Sequence, residues 1–95
     1  MKTRKSPSQK YRHMPHVAWR RVEEESVLLN VDTSEYYSLD PVGTQVWERL
    51  GKGEDAERIA ASLAGDYGVP AARAAADVRA LISDLLREKL IHPAD

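Results

Sequence analysis

The chain has 95 residues, which suits one small domain and leaves little room for a large catalytic cleft. Apolar residues make up 42% of it and charged residues 31%, a balance that predicts a folded globular protein rather than a disordered chain. Cysteine is absent and no apolar run approaches the roughly 20 residues that span a bilayer, which excludes disulfides, thiolate sites and a spanning helix, and predicts a cytoplasmic location.

The N-terminal stretch differs from the rest of the chain in charge. Residues 1–15 contain basic side chains and no acidic one, so all 15 acidic residues lie in the remainder, although the whole chain has a net charge of only −1. This stretch is rich in Ser, Pro, Gln and Lys and has little apolar content. We therefore expect residues 1–15 to form a mobile basic tail and residues 16–92 to form the folded domain.

Three short strands are predicted between residues 16 and 39. Apolar and polar residues alternate from Val17 onward, and residues 27–31 are rich in β-forming apolar side chains. The glutamates at 23–25 and the Asp-Thr-Ser sequence at 32–34 have the composition of turns. With a third strand at residues 35–39, the pattern predicts an antiparallel meander.

The two tyrosines of the third strand should lie on different faces of the sheet, because successive strand residues point in opposite directions. We predict that Tyr37 and Leu39 face the core and that Tyr36 faces outward.

Three helices should follow. Asp40 and Pro41 have the composition of a helix N-cap and first turn, Asp55 opens the second helix, and Pro70 opens the third. The predicted inward residues of the first helix are Gly43, Val46, Trp47 and Leu50. Those of the second are Ala56, Ile59, Ala60 and Leu63, with Tyr67 extending the stripe. In the third they are Val78, Leu81, Ile82, Leu85 and Leu86, with Val78, Leu81 and Leu85 at the centre of the stripe.

The predicted fold class is therefore α+β, with a three-stranded antiparallel sheet followed by three helices that cover one face. This order of elements also suits a winged-helix-like arrangement.

Several segments together resemble the PqqD family. Val27-Leu28-Leu29-Asn30 and Tyr36-Tyr37-Ser38-Leu39-Asp40, followed by Gly43, Val46 and Trp47, are similar to the family's apolar strand, its YxLN motif and its Gly-x-x-apolar-Trp helix start. Residues 59–91 look like the second half of the family, so the resemblance covers residues 16–92. The chain departs from the pattern in two places, with Asp40 instead of Asn and Lys89 where Gly is often found.

The resemblance implies a recognition element for ribosomally synthesised precursor peptides. Such a module binds the leader peptide as an added strand, beside the third strand and against the third helix. It serves either a radical SAM enzyme, as in pyrroloquinoline quinone assembly, or the leader peptidase and cyclase of lasso peptides. The chain looks more like the lasso-peptide group, or a generic PqqD-like peptide chaperone, than like the quinone-pathway protein.

The residues expected to bind the peptide come from two elements. The strand edge would supply Glu35, Tyr36, Tyr37, Ser38 and Leu39, and the third helix would supply Asp77, Val78, Arg79, Ile82 and Leu86. Other interpretations stay open for some of them. Ile82 and Leu86 would also fit a wide core stripe, Tyr36 could simply cover the outer face, and an ion pair with Arg73 would explain Asp77.

Other functions were compared with peptide binding. A winged-helix DNA-binding regulator is the alternative, but the body of the chain is acidic and would repel phosphate. His13 and His16 lack a nearby third ligand, and no nucleophile–base pattern is present, so neither a metal, a cofactor nor an enzymatic activity is predicted. A homodimer formed through the exposed strand edge is a third hypothesis.

Overall fold

The computed structural model describes residues 9–94. The elements follow one another as β1 (Tyr11–His13), β2 (Val17–Val22), β3 (Glu25–Asn30), β4 (Glu35–Leu39), α1 (Pro41–Gly51), α2 (Ala56–Tyr67), α3 (Ala71–Arg87) and β5 (Ile91–Pro93). The predicted α+β class, with a sheet followed by three helices, is confirmed.

Strands β2, β3 and β4 form the predicted antiparallel meander, in that order. Leu28 in the central strand lies opposite Trp19 on one side and Tyr37 on the other. Opposed residues in a sheet point to the same face, and Leu28 is 0% exposed, so this is the face that the helices cover. Tyr36 belongs to the opposite face and is 71% exposed, while Tyr37 and Leu39 pack against the core, as predicted.

The helix boundaries follow from local capping chemistry. The Asp40 carboxylate accepts a hydrogen bond from the Gly43 amide, and the Asp55 carboxylate accepts one from the Arg58 amide. Gly68 ends α2 with a φ of 65°, a conformation that glycine adopts without strain. These caps were predicted from the sequence, but Tyr67 is 49% exposed, so the prediction that it extends the inward stripe of α2 is wrong.

The core lies between the sheet and the three helices. All four predicted inward residues of α1 are buried, and Trp47 is among the largest side chains that are fully enclosed. Ser26 of β3 and Thr44 of α1 are also fully buried, and their hydroxyl oxygens are 2.8 Å apart. This hydrogen bond joins the sheet to α1 in the interior and satisfies two buried polar groups.

A second, two-stranded sheet joins the ends of the described chain and was not predicted. Strand β1 pairs with β5 in antiparallel fashion, with Arg12 opposite His92. The His13 ring stacks on the Trp47 indole, and its Nε2 atom donates a hydrogen bond to the Trp47 carbonyl at 2.9 Å. The predicted tail is therefore too long, because residues 9–15 belong to the described fold; the rest of it, residues 1–8, lies outside the described residues.

Lys89 stands just after α3, at the place where the family often has glycine. The Leu90 amide donates to the Leu85 carbonyl, the Lys89 amide donates to the Leu86 carbonyl, and Lys89 has a φ of 63°. These are the hydrogen bonds of a Schellman motif, in which the left-handed residue is usually glycine. A lysine in this conformation lowers the stability of the fold, but the motif still forms and the helix ends at Arg87.

Candidate functional site

Strand β4 is an edge strand, paired with β3 alone among the described strands. Its outer side therefore presents backbone N–H and C=O groups in the pattern that a further strand requires. Glu35, Tyr36 and Ser38 are exposed, whereas Tyr37 and Leu39 lean towards the helices. All five residues that the sequence assigned to a peptide-binding edge thus lie on one strand with a free side.

An apolar cavity of about 120 Å³ lies between α1, α2 and α3, and its lining comes nearest to β4 along the chain at Val42. One wall comes from α1, where Val42 lies just past the end of that strand. The opposite wall comes from α3, through Asp77, Val78 and Leu81, and the remaining lining is Val46, Leu63, Tyr67, Val69 and Ala74. A strand added to β4 could place an apolar side chain in this cavity.

Tyr37 joins β4 to the end of α3. Its hydroxyl oxygen lies 2.9 Å from a carboxylate oxygen of Glu35 and 3.1 Å from a carboxylate oxygen of Glu88. Several effects together raise the pKa of Tyr37 to about 12. The largest is the hydrogen bond to Glu35, and desolvation and the hydrogen bond to Glu88 add to it. The phenol therefore keeps its proton and acts as a donor, but one proton can serve only one of the two carboxylates at a time.

The flank of α3 on the β4 side is mainly acidic. Leu81 and Glu88 are seven residues apart, close to two turns, and share this flank with Asp77 and Asp84. Arg73 lies 3.5 Å from Asp77, which is the predicted ion pair, and Arg87 lies 2.7 Å from Asp84. Within residues 9–94, neither Glu35 nor Glu88 has a basic nitrogen within 4.0 Å.

The opposite flank of α3 carries three of the helix residues that the sequence assigned to peptide binding. Arg79, Ile82 and Leu86 line a separate open cavity of about 630 Å³, whose other walls are α2 and the segment from Gln9 to Tyr11. Ile82 is only 5% exposed, whereas Leu81, predicted to be a central core residue, is half-buried. Arg79, Ile82 and Leu86 therefore line a different cavity from Val42 and Leu81, and their part in peptide binding stays a prediction.

The structure thus brings together part of the predicted set. Asp77 lines the cavity of Val42 and Leu81, Val78 lines both cavities, and the other three helix residues line only the second one. Val42, Leu81 and Glu88 were not among the predicted site residues. The spacing of Leu81 and Glu88 places these two on one flank of α3, but it does not show which element that flank faces.

Residues 9–94 contain no group of three histidine or carboxylate side chains that could hold a metal ion. Nor is any of the described helices long and apolar enough to cross a membrane.

The chain was compared with known proteins in three ways. A family model described as coenzyme PQQ synthesis protein D (PqqD) matches residues 25–91. A comparison with curated proteins found no significant match.

Two solved structures have the same fold. "TbiB1 in complex with the TbiA(β) leader peptide" is 28% identical, with a TM-score of 0.80 over 84% of this chain and 93% of that chain. "Lasso peptide synthetase B1 complexed with the leader peptide" is 25% identical, with a TM-score of 0.82 over 88% of this chain and 99% of that chain. The family model spans well over half of the sequence and includes β3, β4 and all three helices, so the chain belongs to the PqqD family.

Proposed function

We propose that this chain binds the leader segment of a ribosomally synthesised precursor peptide as a fourth strand on β4 and presents it to modifying enzymes. The observation that carries the proposal is the free edge of β4, together with an apolar cavity between the three helices that reaches Val42, just past the end of that strand. The two matched solved structures are themselves complexes with leader peptides, which supports the same role here.

Strand addition separates affinity from selectivity. Backbone hydrogen bonds along β4 would each contribute about 1 kcal/mol net and would accept almost any sequence. Side chains of the guest alternate between the two faces, so only every second one would point towards the cavity at Val42 and Leu81. The leader would thus be selected by an apolar side chain at one position of an otherwise extended segment.

The chain is proposed to act without catalysis, as a carrier of the peptide. One of the matched structures is a lasso peptide synthetase B1. This match favours a leader peptidase and a cyclase, and not a radical SAM enzyme, as the enzymes to which the chain presents the peptide. The homodimer remains a separate prediction, since a second copy could pair with the same edge of β4.

The DNA-binding alternative is not supported. Its reading helix would be α3, where the exposed Asp77 and Asp84 offset Arg73 and Arg87 in ion pairs. Acidic side chains on the exposed flank of a recognition helix oppose the approach of phosphate groups. The matched structures are peptide complexes as well.

The test is a titration of the isotope-labelled chain with the leader of the precursor peptide from its own gene neighbourhood. Amide shifts should concentrate on residues 35–39 and on residues 77–88, and the amides of β4 should gain protection from exchange with solvent. Shifts confined to the turn at Glu23 and Glu24, or to the cavity beside Gln9 and Leu86, would place the peptide elsewhere and contradict strand addition on β4.

A further inference from the structure

The groove between β4 and α3 contains, beside Tyr37, two carboxylates that have no basic partner among residues 9–94. Glu35 on β4 and Glu88 at the end of α3 point at the same phenol oxygen of Tyr37, at 2.9 Å and 3.1 Å. The single proton of that phenol cannot satisfy both carboxylates. No basic side chain within residues 9–94 lies within 4.0 Å of either one.

The position of these carboxylates relates them to the guest strand. Glu35 belongs to the edge strand itself, and Glu88 lies across the groove from it on the same flank of α3 as Leu81, which lines the cavity. A cation seated between them would be held from both sides of the groove. A lysine or arginine of the added strand is the group that could reach this place, because the strand runs along β4 between the two walls.

The spacing along the groove sets the position of that side chain. Leu81 and Glu88 are seven residues apart on α3, about 10 Å along the helix axis. An extended strand covers this distance in about three residues. Side chains on one face of a strand are separated by even numbers, so the two nearest spacings are two and four residues.

We infer that the peptide bound by this chain carries a lysine or arginine two or four residues from the apolar side chain that fills the cavity, and that Glu35 and Glu88 receive this basic group. The inference rests on the proposed function, since it needs a strand on β4. It adds a charge requirement to the apolar one and names two specificity-determining residues. Arg73 and Arg87 are already held by Asp77 and Asp84, so they do not neutralise this end of the groove.

The test uses a library of random twelve-residue peptides displayed on phage and selected on the immobilised chain. The same selection is made on a groove variant with Glu35→Gln and Glu88→Gln, which keeps hydrogen-bonding partners for Tyr37 and removes both charges. A control variant, Glu24→Gln with Glu57→Gln, removes the same charge from exposed positions outside the groove. Circular dichroism confirms that all three proteins are folded.

Peptides enriched on the unaltered chain and on the control should combine an apolar residue with Lys or Arg at a spacing of two or four. The groove variant should keep the apolar preference and lose the basic one. In fluorescence anisotropy with one enriched peptide, replacing its basic residue by Gln should weaken binding about threefold to fivefold for the unaltered chain, as expected for an exposed ion pair, and hardly at all for the groove variant.

Two results would overturn the inference while leaving the proposed function intact: apolar peptides selected without any basic preference, or an equal basic preference on the groove variant. If no peptide is enriched on any of the three proteins, peptide binding itself fails, and the inference fails with it.

Discussion

The imidazole of His13 stacks on the indole of Trp47 with their centroids 3.6 Å apart and their planes inclined by 7°. Burial lowers the pKa of His13 below its ordinary value of 6.5, and the hydrogen bond to the Trp47 carbonyl opposes this only in part. The unfolded chain therefore takes up a proton more readily than the folded one, and protonation favours unfolding.

The pH dependence of stability follows from this direction. The contribution of neutral His13 to the free energy of unfolding is fully present above 6.5, the pKa of the unfolded state. It is lost as the pH falls through the lowered pKa of the folded state. Urea unfolding at about pH 7.5 and pH 5.5 should give a smaller free energy of unfolding at the lower pH. In His13→Asn this difference should shrink, whereas His92→Asn, whose ring within residues 9–94 bonds only to the adjacent Pro93 carbonyl, should retain it. An unchanged difference in His13→Asn would contradict the assignment.

Removal of the first strand should destabilise the domain. Deleting residues 1–13 removes the pairing of β1 with β5 and the stack of His13 on Trp47. Together with the lost burial of Tyr11, we expect the free energy of unfolding to fall by about 3 kcal/mol. Deleting only residues 1–8, which are basic and polar apart from Met1 and Pro7, should have little effect. Thermal or urea unfolding of the two truncated chains measures this, and equal stability would show that β1 adds nothing.

The two flanks of α3 can be distinguished with a matched pair of leucines. Leu81 lies on the flank that lines the cavity beside β4, and Leu86 lies on the opposite flank, and both are half-buried. Leu81→Ala and Leu86→Ala should each cost stability, but only Leu81→Ala should weaken leader binding, by about tenfold or roughly 1.4 kcal/mol.

A milder variant, Val42→Ser, checks the other wall of the same cavity. Val42 is 39% exposed, so its replacement should alter binding more than folding. Val22→Ser on β2, where the valine is 46% exposed, is its control. Calorimetric titration with the leader gives the affinities. Equal loss in Leu81→Ala and Leu86→Ala, or normal binding by Val42→Ser, would mean that the peptide does not use this cavity.

The conformation of Lys89 predicts a stabilising substitution. Its φ of 63° costs an L-residue roughly 1–2 kcal/mol, part of which glycine returns through its greater freedom in the unfolded chain. Lys89→Gly should therefore raise the free energy of unfolding by about 1 kcal/mol. Lys89→Ala, which removes the charge but keeps the Cβ, should give no such gain in urea unfolding. A loss of stability in Lys89→Gly would show that the lysine side chain contributes more than its backbone costs.

The sequence by itself determined the elements and most of their inward faces. Alternation of apolar residues identified the strands, and Asp40, Asp55 and Gly68 marked helix ends because capping depends only on neighbouring residues. The resemblance to the PqqD family came from the same local patterns, together with their order. Tyr36 and Tyr37 were assigned to the correct faces, since strand geometry leaves only two choices.

The tertiary structure decided what depended on contacts between distant parts of the chain. Tyr11–His13 form a strand only because residues 91–93 lie beside them in the fold. Without that partner, the sequence at these positions looks like part of a polar tail. The periodicity of α3 placed Leu81 at the centre of the apolar stripe, whereas in the structure Leu81 and Leu86 lie on opposite sides of the buried centre. A helix has the same periodicity whichever way it is turned about its axis. The flank that meets β4 is therefore fixed only by how α3 packs against α2 and the sheet, where burial of Ile82 leaves Leu81 and Glu88 on the side of β4.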